Sequence, residues 1–236
     1  MELCNDQLEI SLKELGFPSV ASKVTLSDEY YYQSLPLCVL DAVFSMGVRY
    51  ESTRNVVKRF CLHAKVQRIR SSRNQIPQAS DQFGISDYLK HYGNTSPEKL
   101  ASDVFQNFQR TSTQNGILKA EAAGHFMKEL AERKVEYLQD LPKLYLDLTF
   151  EKAIKTIPGQ KSGISLQYFF MLAGDNNLTK PDRMILRFLE RTFPNRKFNV
   201  QQATSALQDI CKCMKMKWGI DITPRELDHW IWRHER

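Results

Sequence analysis

Signals that start helices recur along this chain at such short intervals that little of it is left for any other kind of element. Asn5 or Asp6 can cap a first helix that places Leu8, Leu12 and Leu15 on one face. Pro36 stands in the first turn of an apolar helix predicted over 37–45, and Gly47 interrupts the pattern. Ser52 is then expected to cap a helix that buries Val56, Val57, Phe60 and Cys61. Thr95-Ser96-Pro97-Glu98 combines a cap, a proline and an early carboxylate, a strong helix start. Further helices are predicted over 119–134, 147–156, from Ser162 or Ser165 to Leu172, over 182–191 and over 199–214. A last one opens with the capping box of Thr223 and Glu226, and Trp218, Trp230 and Trp232 are expected to anchor this end to the body. Residues 71–82 read as a polar loop.

Composition agrees with that reading. Ten glycines and nine prolines in 236 residues suit helices better than strands and turns. A hydrophobic share of 42% with a net charge of only +6 excludes a disordered chain. Nothing approaches the run of ~20 apolar residues that a membrane helix needs. The opening MELCNDQLEI is acidic and amphipathic, unlike a signal or transit peptide, so a cytoplasmic protein without a membrane partner is expected. Five cysteines, an odd number without a secretory signal, predict reduced thiols, and no set of Cys and His completes a metal site. About ten helices in one folding unit are expected, with any second subdomain crossed by the chain more than once.

The charge is unevenly placed. Arg54, Lys58, Arg59, Lys65, Arg68, Arg70 and Arg73 fall within 54–73 without an acid, which leaves 26 basic and 27 acidic residues elsewhere. Such a stretch is either a solvated helix face or a surface for phosphates.

The densest cluster of chemistry lies between Ile154 and Arg191. The turn Ile157-Pro158-Gly159-Gln160-Lys161-Ser162-Gly163 joins two short helices. Backbone N–H groups at the start of the second can take a DNA phosphate, because they lack intrahelical partners and the helix dipole favours an anion. That contact holds a duplex without reading it. Asp182 follows nineteen residues after Gly163, at the head of a helix carrying Met184, Ile185, Phe188 and Leu189. A capping carboxylate is held still, which also suits it to stabilising a cationic sugar and orienting a water.

Ile157-Pro158-Gly159 followed by Lys180-Pro181-Asp182-Arg183-Met184-Ile185 resembles the helix-hairpin-helix and catalytic-aspartate core of the endonuclease III-type DNA glycosylases. PLCVLDAVFSMGVRYESTRNVVKRF, residues 36–60, resembles that family's second helix, wedge-bearing turn and following helix. Asn115 to Glu121 resembles the start of the helix ahead of the hairpin, so the likeness covers roughly residues 30–195. The resemblance implies an all-α fold of two helical subdomains with a DNA-binding cleft between them. Residues 1–35 and 175–236 would form one, carrying the aspartate, and 36–174 the other, carrying wedge turn and hairpin. It implies an enzyme that flips a damaged or modified base from double-stranded DNA and hydrolyses its N-glycosidic bond. By position, Asp182 would be the catalytic carboxylate, and Pro158, Gly159, Gln160, Lys161, Ser162 and Gly163 would grip a phosphate. Met46, Gly47, Val48, Arg49 and Tyr50 would face the gap left by the flipped base. Tyr30, Tyr31, Tyr32, Phe44 and Tyr168 would line the base pocket, with Lys58, Arg59 and Lys65 on the basic DNA face. A monomer is expected, with no cofactor beyond a monovalent cation that the hairpin carbonyls could hold.

The departures from the family pattern sharpen the expectation. Bifunctional members carry a lysine four positions after the first hairpin glycine, where this chain has Gly163, so a monofunctional enzyme leaving an abasic site is implied. Lys161 stands at the family's second hairpin glycine, where it would contact phosphate or restore lyase chemistry. Gly47 replaces a common glutamine, leaving Val48, Arg49 or Tyr50 as the wedge. The iron–sulfur cysteine quartet is missing. Gly163 would leave room for a bulky base such as a hypermodified phage pyrimidine, which would mean a defence role; an alkylated purine, implying repair, is the other class. Against these stand a non-catalytic DNA-binding protein that keeps the hairpin, and a helical interaction module that binds no DNA.

Overall fold

The structure, a computed structural model, describes residues 3–73 and 75–235. Asn74, within the expected 71–82 loop, and Met1, Glu2 and Arg236 at the ends lie outside the described residues. In chain order the α-helices are α1 (Asp6–Glu14), α2 (Leu35–Phe44), α3 (Tyr50–Ala64), α4 (Ile85–Tyr92), α5 (Pro97–Lys99), α6 (Lys119–Glu132), α7 (Leu148–Thr156), α8 (Ile164–Ala173), α9 (Arg183–Thr192), α10 (Val200–Trp218) and α11 (Pro224–Glu235). The described residues contain no β-strand, only isolated bridges between Tyr32 and Ile69 and between Arg110 and Leu118. The chain is all-α.

The helices form two compact units rather than one. Residues up to Ser27 join those from Asp175 onward in a terminal unit, and Asp28–Gly174 form a central one. Residues 28–35, expected with the termini, belong to the central unit for a visible reason. Gln33 N–H donates to Arg68 O at 3.0 Å and Arg70 N–H to Tyr31 O at 2.9 Å, zipping this segment to the chain after α3.

In the central unit α2 is buried over all ten residues. A helix apolar on every side can only be wrapped by others, and α3, α6 and α8 pack against it. Its lone acid, Asp41, accepts a hydrogen bond from the Tyr32 hydroxyl at 2.7 Å. The C-terminal carbonyls of α2 meet a buried cation: Lys119 Nζ, on a residue only 1% exposed, donates to Phe44 O at 3.0 Å, Met46 O at 2.7 Å and Gln109 Oε1 at 3.3 Å. An ammonium there complements the negative end of the helix and satisfies acceptors that have no partner within it.

The terminal unit is built from α1, α9, α10 and α11 around Leu8, Leu12, Ile185, Phe188, Leu207, Ile210, Leu227 and Ile231. Trp230 Nε1 donates to Leu15 O at 3.0 Å, tying α11 to the end of α1. Cys4 and Cys213 form a disulfide with Cα atoms 5.8 Å apart, which corrects the expectation of five reduced thiols. Cys38, Cys61 and Cys211 are buried thiols outside this disulfide.

Several boundaries differ from expectation. The α3 cap is Arg49 and not Ser52, because Gly47 at φ +66° turns the chain early and Tyr50 already enters the helix. The start expected at Thr95-Ser96-Pro97-Glu98 is capped by Ser96 but gives only α5, which widens into a π-helical turn over Leu100–Val104. Helix α4 is not among the expected ones; its buried residues Ile85, Tyr88 and Tyr92 are mostly aromatic and follow a bare glycine cap at Gly84. At α8 neither Ser162 nor Ser165 caps; Gly163 does.

Candidate functional site

The hairpin α7–α8 is a tight turn fixed by two glycines. Asp147 caps α7, accepting from Thr149 N at 2.9 Å and Phe150 N at 3.0 Å. In the turn Gln160 N–H donates to Ile157 O at 2.9 Å and Gly163 N–H to Gln160 O at 3.0 Å. Gly159 has φ +87°, and a Cβ there would stand 2.5 Å from the Thr111 Cβ, so both conformation and close approach demand glycine. Gly163 has φ +75°. Pro158, Lys161 and Ser162 are exposed, whereas Gln160 turns inward to full burial and accepts a bond from the Ser165 hydroxyl. Gln160 therefore builds the turn and is withdrawn from the set of surface contacts. No side chain caps α8 at Gly163, and the nearest hydroxyl, Ser162 Oγ, lies 3.4 Å from Ile164 N.

The space expected at Gly163 is bordered by the flexible end of one side chain. A Cβ there would lie 3.0 Å from Lys155 Cε and 3.6 Å from Lys155 Nζ, whose ammonium pairs with Glu151 one turn earlier on α7. The left-handed φ of +75° is by itself a backbone reason for glycine here. Lys155, eight residues before Gly163, carries no signal in the sequence because only the turn's reversal brings it back.

Asp182 belongs to the terminal unit. It caps α9 from an extended conformation, φ −80° and ψ −176°, and its Oδ1 accepts from Met184 N at 2.8 Å and Ile185 N at 3.4 Å. Nearby is a second carboxyl that is not among the expected site residues. Asp228 of α11 is 6% exposed, and its Oδ2 accepts the Lys180 N–H at 2.7 Å. Burial pushes Asp228 up to about 8, opposed by the Lys180 N–H and reinforced by the charge of Asp182. A signal for it exists in the chain: Pro224, Leu227, Asp228 and Ile231 share the buried face of α11, so an acid stands where an apolar residue is expected.

The wedge turn lies in the central unit, with Gly47 and Arg49 exposed and Met46 and Val48 half-buried. Tyr50 stacks on Tyr30, centroids 5.6 Å apart. The aromatic residues expected to line a base pocket divide. Tyr30 and Tyr31 are partly exposed, and Tyr168 is nearly buried. Tyr32 and Phe44 are core residues, with Tyr32 fully buried on Asp41 and Phe44 packed on Phe105 at 5.0 Å. Burial first, and then the charge of Asp41, push the phenols of Tyr32 and Tyr50 up.

The basic stretch is thinner than its composition. Arg54 pairs with Glu51 at 2.9 Å and with Glu29 at 3.9 Å. Arg59 donates to Phe105 O at 3.0 Å and Gln106 O at 3.2 Å, pinning the loop after α5, and buried Arg70 donates to Tyr32 O and Ala173 O. Lys58 and Lys65 project into solvent.

No group of three or more His, Cys, Asp or Glu side chains among the described residues is arranged to hold a metal ion. No helix among them is long and apolar enough to cross a membrane. The family described as a domain of unknown function, DUF8548, matches residues 16–236, and the chain belongs to it. No curated protein and no solved structure matches the chain.

Proposed function

We propose that this chain is a monofunctional DNA glycosylase in which Asp182 is the catalytic carboxylate and the α7–α8 turn grips a phosphate of the substrate duplex. The observation that carries the reading is the pair of helix starts on either side of residues 164–182. One is capped by a glycine that brings no side-chain acceptor, with Ser162 Oγ 3.4 Å from the Ile164 N–H; the other holds a carboxylate immobile on two N–H bonds. A polyanion with a sugar that turns cationic as its base departs calls for both.

In the proposed step the bond between C1′ and the base nitrogen breaks, and the electron pair leaves with the base. Asp182 stabilises the positive charge on the sugar and orients a water, whose oxygen bonds to C1′ while its proton is released. The product is an abasic site. An alkylated purine asks least of such a site, because its cationic ring leaves without help from an acid. A hypermodified pyrimidine, for which the Lys155 side chain beside Gly163 would have to move, is the second arm of the test.

The test is a mass-spectrometric screen for bases released from alkylated DNA and from phage DNAs of differing modification, with Asp182→Asn as the blank. Wild-type protein is expected to release one base class and the variant none, with DNA binding retained. A fully active Asp182→Asn removes the assignment. A wild type that binds DNA and releases nothing is a non-catalytic DNA-binding protein.

A further inference from the structure

The start of α9 is held from behind by α11. Asp228 Oδ2 accepts the Lys180 N–H at 2.7 Å, and Lys180 O accepts the Asp182 N–H at 2.6 Å, so two consecutive hydrogen bonds run from the interior to the backbone of Asp182. Pro181, between them, is buried and fixed in φ. One turn earlier on α11, Arg225 N–H donates to Asn176 O at 3.2 Å, and the Thr179 and Thr204 hydroxyls meet at 3.2 Å. The whole lead-in 175–182, which has no helix of its own, is thus pinned to α10 and α11.

We infer that Asp228 is a positioning residue for Asp182, setting through the Lys180 N–H the backbone from which the Asp182 carboxylate projects. The inference rests on the glycosylase reading for the reaction it serves, but the tether belongs to the fold. A buried asparagine could accept the same N–H, which makes it the conservative replacement for the tether. The charged groups acting on Asp228 are Lys180 and Asp182 from the lead-in to α9 and Arg225 on its own helix. Along the rest of α11, Arg187 and Arg191 of α9 meet Glu235, and Cys211 of α10 faces Glu226. Burial, with the charge of Asp182 beside it, disfavours the ionised form of Asp228.

The experiment compares Asp228→Asn and Asp228→Ala in base release, DNA affinity and amide exchange at Lys180. Asp228→Asn keeps the acceptor, so kcat at pH 7 stays near wild type. Asp228→Ala lowers kcat by about 10- to 100-fold through misplacement of the carboxylate. Its KM and DNA affinity are unchanged, and the Lys180 amide exchanges faster. Undiminished kcat in Asp228→Ala, or an Asn variant as damaged as the Ala variant, overturns the positioning role. A wild type that releases no base overturns the glycosylase reading instead. In that case the Lys180 exchange still decides the tether: unchanged protection in Asp228→Ala refutes it, and lost protection upholds it.

Discussion

The N-terminus of α8 and that of α9 face the same problem and resolve it in opposite ways. Each begins with backbone N–H groups that no earlier turn can satisfy. At α9 the Asp182 carboxylate takes two of them, at 2.8 and 3.4 Å. At α8 the cap is Gly163, in a left-handed conformation and without a side chain to offer. A helix end closed by an acid is shut to anions and can only attract positive charge. One closed by glycine brings no carboxylate to the positive end of its dipole, and at α8 the Ser162 hydroxyl, 3.4 Å from Ile164 N, meets a first-turn donor from a side chain. Each unit carries one of these ends, and the proposed glycosylase reading assigns the phosphate to the α8 end and the sugar to the α9 end.

Asp182→Asn attacks one side of that contrast and has the largest expected effect. Asparagine caps as well as aspartate, so α9 should hold, but the neutral amide cannot stabilise a cationic sugar. Base release should fall by about 10²–10³-fold or more, the scale set by losing one electrostatic contact to a transition state. Single-turnover assays on the released base measure it. Gly163→Asp attacks the other side by giving α8 the cap that α9 has. Aspartate tolerates φ +75° better than most residues, and the neighbour it meets, Lys155 Cε, is the flexible end of a side chain. The fold should survive while duplex affinity drops by about 10- to 100-fold, as a fixed negative charge replaces a phosphate site. Fluorescence anisotropy checks this, and unchanged affinity would mean the hairpin is only a turn.

Much of this contrast is legible in the amino-acid sequence. The Asp182 cap and its helix follow from spacing alone, because capping is local chemistry between residues two and three apart. The cap of α8 does not, since two serines compete with a glycine whose left-handed conformation only the folded turn reveals. Side chains returning from a distance are hidden for the same reason. Lys155 over Gly163, Lys119 on the α2 carbonyls and Asp228 on Lys180 are all set by packing rather than by neighbours in the chain. The basic stretch shows the reverse failing. Its charges are plain in the composition, yet Arg54, Arg59 and Arg70 are used on internal partners.

That redistribution yields a smaller prediction, which sharpens the part of the comparison concerned with phosphate. If Lys58 and Lys65 each neutralise one phosphate alongside the hairpin, replacing both by alanine reduces the slope of log affinity against log salt by about 1.8. Affinity falls equally on all sequences. Arg59→Ala should behave differently, destabilising the loop whose carbonyls it holds at 3.0 and 3.2 Å while barely altering the slope. Titrations at several salt concentrations, paired with urea melts, separate the two. Identical slopes for the double variant and the wild type would leave the hairpin as the sole anion site.

The smallest effect separates what Asp182 does for the helix from what it does for a substrate. Asp182→Ala removes the acceptor for Met184 N and Ile185 N and should cost about 1 kcal/mol of stability. Asp182→Asn should cost almost none. The two variants then differ in urea midpoint but are equally inactive, because stability follows the hydrogen bonds while base release follows the charge. Equal stabilities would mean that the lead-in tethered by Lys180 to Asp228, rather than the side-chain cap, holds the first turn of α9 in place. Asp228→Ala would then be the variant that loosens it.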